Sequence, residues 1–283
     1  MNYPTFCVKQ MSEEDFDFSV HITDTMNWKL VKEDFAFMLE LEPQGCFVLL
    51  QDQERIGIVT TINFGKVGWL GNLIVDENHR KTGAGTLLAN EAIQYLTGRG
   101  AETIGLYSYS NAIPFYKRLG FEYDSDFVVL RGRGTSSKVP ASLRKAEKED
   151  TPEIIDFDET YFGVSREKLL SPILGNKRNL CHVYIEDGHI QGYAMAKPYG
   201  EAAELGPLVC KPKQNDVAIN LLRTSLSNLT KFEVYLTIQE RESALIGTLS
   251  DSGFSEYFRV ARMFLNPRII KDCIYVAESL ERG

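Results

Sequence analysis

The spacing of apolar positions changes along the chain, and each change marks an element. Residues 12–21 and 32–41 place Phe, Met and Leu at helical intervals. "CFVLLQ" (46–51) and "RIGIVTTINF" (55–64) read as strands joined by a short turn at Asp52 to Glu54. "GWLGNLIV" (68–75) is almost continuously apolar, the pattern of a strand covered on both faces. Residues 83–98 return to helical spacing and turn Leu87, Leu88, Ala92, Ile93 and Leu96 inward. "TIGLYS" (103–108) is a further strand, and "IPFYKRLG" (113–120) is a helix with Pro114 near its start and Gly120 at its end. "FEYDSDFVVLRG" closes the series with one or two strands. Strands alternating with helices predict an α/β domain with a mixed sheet.

The pattern breaks at "RGRGTSSKVPAS" (131–142), which has almost no large apolar residue and reads as a linker. The expected division is a first domain over 1–134, a linker over 135–142 and a second domain over 143–283. The second part repeats the order of the first and some of its words. "CHVYIEDGHIQGYAM" (181–195) parallels "CFVLLQDQERIGIVT" (46–60), and "LGPLVCKP" (205–212) parallels "LGNLIVDE" (70–77). "SDSGFSEYFRVARM" (250–263) parallels "YKRLGFEYDSDFVVLRG" (116–132). A period of roughly 135 residues indicates a duplicated domain rather than a solenoid. The copies differ at one telling place: "NHRKTGAG" in the first stands against the glycine-free "KPKQNDVA" in the second.

Composition excludes several classes. The 283 residues carry a net charge of −8, with 12 basic against 18 acidic residues through Gly134 and 19 against 21 after it. An acidic first half argues against a nucleic-acid binder and suits a cationic substrate. No run approaches the ~18–20 apolar residues of a membrane span. The first residues carry acids early and no apolar core of a signal peptide, so the expected location is cytoplasmic. Five scattered cysteines and four histidines lack metal-ligand spacing, so no metal is expected.

"HRKTGAGTLL" (79–88) follows a strand and opens a helix. The first backbone N–H groups of a helix have no internal acceptor and sit at the positive end of its dipole. Glycines let an anion approach such a backbone, and Arg80 and Lys81 add charge. The stretch is neither a G-x-G-x-x-G fingerprint nor a G-x-x-x-x-G-K-[ST] loop. On its own it is equally a plain helix start.

The arrangement resembles the GCN5-related N-acetyltransferase family, whose signature [RQ]-x-x-G-x-[GA] follows a strand ending in an apolar triplet. Here the triplet is Leu73-Ile74-Val75, followed by Arg80, Gly83 and Gly85. Downstream, Asn111 precedes "IPFYKRLGF", which matches the family's Y-x-x-x-G-F with Tyr116, Gly120 and Phe121. The likeness is good over 46–130 and looser over 1–45. Two-domain members are similar at Asn27-Trp28, at Pro43 to Val48 and over 68–75. The resemblance implies a tandem acyl-CoA N-acyltransferase fold. It implies that the backbone of Arg80, Lys81, Thr82, Gly83, Ala84 and Gly85, with the Thr86 amide, holds the pyrophosphate of acetyl-CoA. The edge of Leu73, Ile74 and Val75 would pair with the pantetheine arm in a gap between two splayed strands. Asn111 would bond the arm or cap the next helix, and Tyr116 would protonate the departing thiolate.

Many family members carry a glutamate base on the strand before the loop. "KVGWLGNLIV" has no acid before Asp76, and Asn72 takes the interior polar position. A water relay with Asp24 or His21 near the entrance is the substitute this implies. On the acceptor side, Asp24 would pair with an ammonium, Trp28 would stack on it, and Asn72 would face it. From the second copy, Tyr193, Tyr199 or Glu204 would come near. The expected activity is transfer of an acetyl group from acetyl-CoA to a primary amine of a small molecule by direct attack on the thioester. A protein or peptide acceptor and a non-catalytic acyl-CoA-binding regulator are the alternatives. The second copy is expected to be degenerate, either covering the acceptor site or making a homodimer.

Overall fold

The computed structural model describes residues 5–136, 140–271 and 273–283. Part of the expected linker, 137–139, lies outside the described residues. Among the described residues a single mixed sheet runs through both halves of the molecule, in the order β1-β2-β3-β4-β5-β12-β6-β11-β13-β10-β9-β8-β7. The first half contributes β1 (Phe6–Gln10), α1 (Phe16–Asp24), α2 (Lys32–Leu41), β2 (Phe47–Gln51), β3 (Glu54–Asn63), β4 (Val67–Val75), α3 (Ala84–Gly98), β5 (Thr103–Ser108), α4 (Ile113–Arg118) and β6 (Phe121–Arg133). The second half repeats the series with β7 (Leu143–Lys145), α5 (Thr151–Phe162), α6 (Glu167–Gly175), β8 (Leu180–Glu186), β9 (His189–Tyr199), β10 (Ala202–Cys210), α7 (Asn215–Ser227), β11 (Glu233–Gln239), α8 (Ser243–Asp251) and β12 (Ser255–Leu265). It then adds β13 (Ile274–Val276). No helix among the described residues is long and apolar enough to cross a membrane.

The repeated order expected from the sequence is present, but the halves are not separate sheets. Their last strands are exchanged. β6 lies between β12 and β11, and β12 lies between β5 and β6. β6 thus hydrogen-bonds only to strands of the second half, Phe127 to Arg133 facing β11 in register with Gln239 to Glu233. Cutting the chain at the linker would leave both halves with an unpaired edge. A core cluster also spans the seam, joining Ile62, Phe64, Trp69 and Phe127 to Phe157, Phe162, Tyr193 and Tyr275.

Helices cover both faces. α1 and α2 pack Phe16, Ile22, Phe35 and Met38 on one face of the first half, and α3 packs Ala84, Leu88, Ala92 and Leu96 on the other. Leu87, expected inward, is 38% exposed. It sits one residue, about 100° of helix, off the buried stripe. Ala89 takes its place inside.

The two parallel pairings, β4–β5 and β10–β11, occupy equivalent places. β4 pairs with β5 only over Val67–Trp69 against Thr103–Gly105, and β10 pairs with β11 only over Ala202–Glu204 against Glu233–Tyr235. Beyond those points each pair diverges. In the second half β13 fills the gap, bonding to β10 over Leu208–Cys210 and to β11 at Ile238. Among the described residues no strand enters the gap of the first half.

The segment after β13 crosses the seam. A Cβ at Gly206 would overlap the carbonyl of Ala277, and one at Gly71 would lie 2.7 Å from the Cα of Glu281. These are the glycines of the duplicated words "LGPLVC" and "LGNLIV". Each lets the same tail lie directly on its strand. Fully buried Arg166 anchors that tail. Its guanidinium forks onto Asp158 at 2.7 and 2.9 Å and donates to the Tyr275 hydroxyl and the Gly283 carbonyl, both at 3.0 Å.

Candidate active site

Among the described strands, β4 past Trp69 pairs only with β3, through Thr61–Leu70, Thr60–Gly71, Ile58–Ile74 and Gly57–Val75. The other edge of Leu73 to Val75 faces the gap. A bulge bends the strand there: the register slips between Ile58 and Thr60, and Asn72 adopts φ 49°. The Asn72 amide donates to the Thr60 hydroxyl at 3.2 Å, which holds the bulge in shape.

The loop that follows is built by its own polar groups. The Asp76 carboxylate accepts from the Asn78 N–H at 3.0 Å and stands 3.1 Å from His79 Nδ1. Arg80 folds back to donate to the Val75 carbonyl at 2.9 Å, and the Thr82 hydroxyl donates to the His79 carbonyl at 2.7 Å. Lys81 (φ 64°) and Gly83 (φ 94°) then turn the chain into α3. The first helical bond is Leu87 N–H to Gly83 carbonyl at 3.0 Å. The N–H groups of Ala84, Gly85 and Thr86 therefore have no acceptor within the helix. Gly83 offers no capping side chain, and no acid stands in the first turn. A Cβ at Gly83 would touch nothing, so its positive φ is what favours glycine. A Cβ at Gly85 would meet Phe115 and Val75 at ordinary distances of 3.6 to 3.9 Å, so packing does not require glycine there.

The equivalent start of α7 is different in kind. It follows "KPKQ", places Asp216 in the first turn, and leaves the buried Gln214 Oε1 without a partner.

Tyr116 stands on α4, 7% exposed, edge-on to Phe115 and Phe121 at 5.0 and 5.8 Å. Burial raises its hydroxyl above the usual tyrosine value, so it holds its proton at neutral pH. Asn111 is exposed in the single turn 110–112. The cap positions of that turn and of α4 are Tyr109 and Ala112, so the capping expected of Asn111 is not found.

A cavity of about 1120 Å³ opens between the halves. The α1–α2 loop, Asn72 and Tyr109 line it from the first half, and the β9–β10 hairpin, Tyr235 and the tail line it from the second. Trp28 is part of this lining and donates its indole N–H to the Tyr109 hydroxyl at 3.0 Å. Asp24 is not, nor is His21; both are exposed on α1, which turns its apolar face to the sheet. Tyr193 is also absent from the cavity: it is fully buried and bonds to Asp158. Tyr199 and Glu204 do line it.

Sequence reasoning missed the charges that the tail brings here. Glu278 is buried and pairs with Arg282 at 2.9 Å and with Lys197. Burial alone would raise its carboxyl, but Arg282 and Lys197 hold it down to about 2. Lys197 also pairs with Glu204 at 3.0 Å. Burial, reinforced by the nearby carboxylates of Glu281 and Glu278, still pushes Glu204 up to about 7 against that lysine. Burial, with Glu281 nearby, likewise raises Asp34 of α2. The Glu278–Arg282 spacing of four was the one visible hint. Among the described residues no cluster of His, Cys, Asp and Glu is arranged to hold a metal.

Comparison with known proteins bears on both halves. Residues 9–121 match the model of the acetyltransferase (GNAT) family, and residues 154–275 match that of an acetyltransferase (GNAT) domain. An uncharacterized N-acetyltransferase of Bacillus subtilis, YitH, is 22% identical over 76% of this chain and 76% of its own. A solved structure from Pyrococcus horikoshii, described as a candidate acetyltransferase, superposes with a TM-score of 0.84 at 19% identity, covering 100% of this chain and 98% of that one. A tandem GNAT protein from the clavulanic acid biosynthesis pathway gives 0.63 at 13% identity, over 92% and 98%. The chain belongs to the GCN5-related N-acetyltransferase family and is a two-domain acyltransferase.

Proposed function

We propose that the first half binds acetyl-CoA and that the acetyl group passes to a primary amine of a small molecule held in the inter-half cavity. The observation that carries this reading is the pairing of an open β4–β5 gap with three acceptor-free N–H groups at the start of α3. Acetyl-CoA supplies an activated thioester. The backbone from Arg80 to Thr86 receives its pyrophosphate, with Lys81 adding charge. The free edge of Leu73, Ile74 and Val75 pairs with the amide-bearing arm as a neighbouring strand would. An N–H of the same strand stabilises negative charge on the carbonyl oxygen during attack. Asn111 flanks the arm where β5 ends. Tyr116, protonated at neutral pH, gives its proton to the leaving sulfur. Trp28 and Asn72 face the acceptor; Asp24 stays outside the lining and plays no part.

A concave cavity between the halves, lined by the acids Asp34, Glu204 and Glu281, suits a small amine. The test is release of CoA thiol across amino acids, polyamines, aminosugars and peptides. Turnover of a small primary amine supports the reading. Acetyl-CoA bound but transferred to none of them, or to peptides alone, overturns it. Tyr116→Phe is expected to lower kcat on the order of 100-fold while acetyl-CoA affinity stays unchanged.

A further inference from the structure

β4 carries no acid from Val67 to Val75, yet one stands beside it. The tail lies so close on β4 that a Cβ at Gly71 would be 2.7 Å from both the Cα and the Cβ of Glu281. The Trp69 indole N–H donates to the Leu280 carbonyl at 3.3 Å, and Arg166 holds the Gly283 carbonyl. Glu281 is therefore clamped on both sides in sequence. It sits next to the Asn72 bulge, where β4 and β5 part, and lines the acceptor cavity. We propose that Glu281, delivered by the second half's tail, is the base that takes the proton from the acceptor ammonium. This rests on the acetyltransfer reading above.

The step balances. The ammonium gives one proton to the Glu281 carboxylate and becomes a neutral amine. Its lone pair forms the new C–N bond as the C–S bond breaks. The second nitrogen proton leaves to water as Tyr116 gives its own to sulfur, and water returns a proton to the Tyr116 oxygen. Glu281 releases its proton to solvent through the cavity, so the products are the amide, the CoA thiol and one proton. The charged and titratable groups around Glu281 are Arg282, paired at 2.6 Å, and Glu278 on the tail, Asp34 on α2, and Lys197, Tyr199 and Glu204 on β9–β10. The requirement for a bare glycine at 71 follows from the same arrangement: a side chain there would lift the base off the strand.

The test is Glu281→Gln, assayed with whichever primary amine of the panel the wild type acetylates fastest. The expected result is a kcat at pH 7 lowered roughly 100-fold or more, with acetyl-CoA affinity by calorimetry unchanged. The variant's rate should climb about tenfold per pH unit above 7, because only amine already neutral in solution reacts, while the wild-type rate levels off. Glu281→Ala should regain rate with added formate. A folded E281Q within threefold of the wild-type kcat overturns the proposal. So does a loss confined to the acceptor KM with the wild-type pH profile. If E281Q does not fold, E281A decides, and absence of formate rescue in a folded E281A counts against the base. If the wild type acetylates no amine, the acetyltransfer reading falls and this inference falls with it. If the wild type is active and E281Q equals it, only this inference falls.

Discussion

The gap between β4 and β5 and the gap between β10 and β11 arise from the same strand divergence, one open and one filled. In the first half no described strand pairs with the edge of Leu73 to Val75, where only Arg80 folds back onto the Val75 carbonyl, and the next helix starts with N–H groups that have no acceptor within the helix and with no acid. In the second half β13 takes the edge, and Asp216 sits at the second position of the helix, where Gly85 sits in the first. A duplicated fold thus keeps its geometry while one copy loses the open slot. The segment that closes the second gap continues across the seam to line the cavity beside the first. The second half thus walls the cavity and fills its own gap.

The comparison can be broken most severely at Arg166. Its fork onto Asp158 is fully buried and holds both β13, through Tyr275, and the tail, through Gly283. Arg166→Ala leaves a buried carboxylate without its cation and is expected to cost about 3–5 kcal/mol, read by urea unfolding. Next comes Gly85→Asp, which gives the first helix the acid of the second. The fold has room for it, and an acid near a helix start stabilises by about 0.3–1 kcal/mol. Acetyl-CoA affinity by calorimetry should nonetheless fall on the order of 100-fold, about 2.7 kcal/mol. Retained affinity would mean that the two helix starts do not differ in function.

The smallest effect concerns Glu204. Its folded-state value of about 7 lies above the ordinary glutamate value near 4.3, so the folded form resists ionisation. Whatever stability this confers is complete below pH ~4 and is lost as pH rises through about 7. Glu204→Gln should therefore match the wild type in melting temperature at pH 4. At pH 8 it should exceed it by a few degrees, solvent at the partly exposed side chain leaving only part of the ~3–4 kcal/mol that the full shift represents. An equal difference at both pH values would show that the side chain does not titrate in this way.

Much of the first slot was legible. Gly83 at positive φ, the helix start at Ala84 and the strand ending in Leu73 to Val75 follow from local rules of turns, caps and apolar runs. The exchange of β6 and β12 was not, because period-two patterning says which face a strand buries and nothing about which strand it joins. β13 is three residues long and leaves too short a pattern to read. Arg166, Glu278 and Arg282 look like ordinary surface charges in sequence and become buried only as ion pairs, Arg166 with Asp158 and Glu278 with Arg282. Glu281 reaches β4 through a contact 210 positions away, which no local pattern encodes. Asp24 failed for a simpler reason: the helix carrying it turns it outward.

Whether one half is loaded and the other plugged is read most directly by calorimetric titration of the intact chain with acetyl-CoA. One site per chain is expected, weakened on the order of 100-fold by Gly85→Asp. Two sites per chain, or a single site whose affinity Gly85→Asp leaves unchanged, would contradict this.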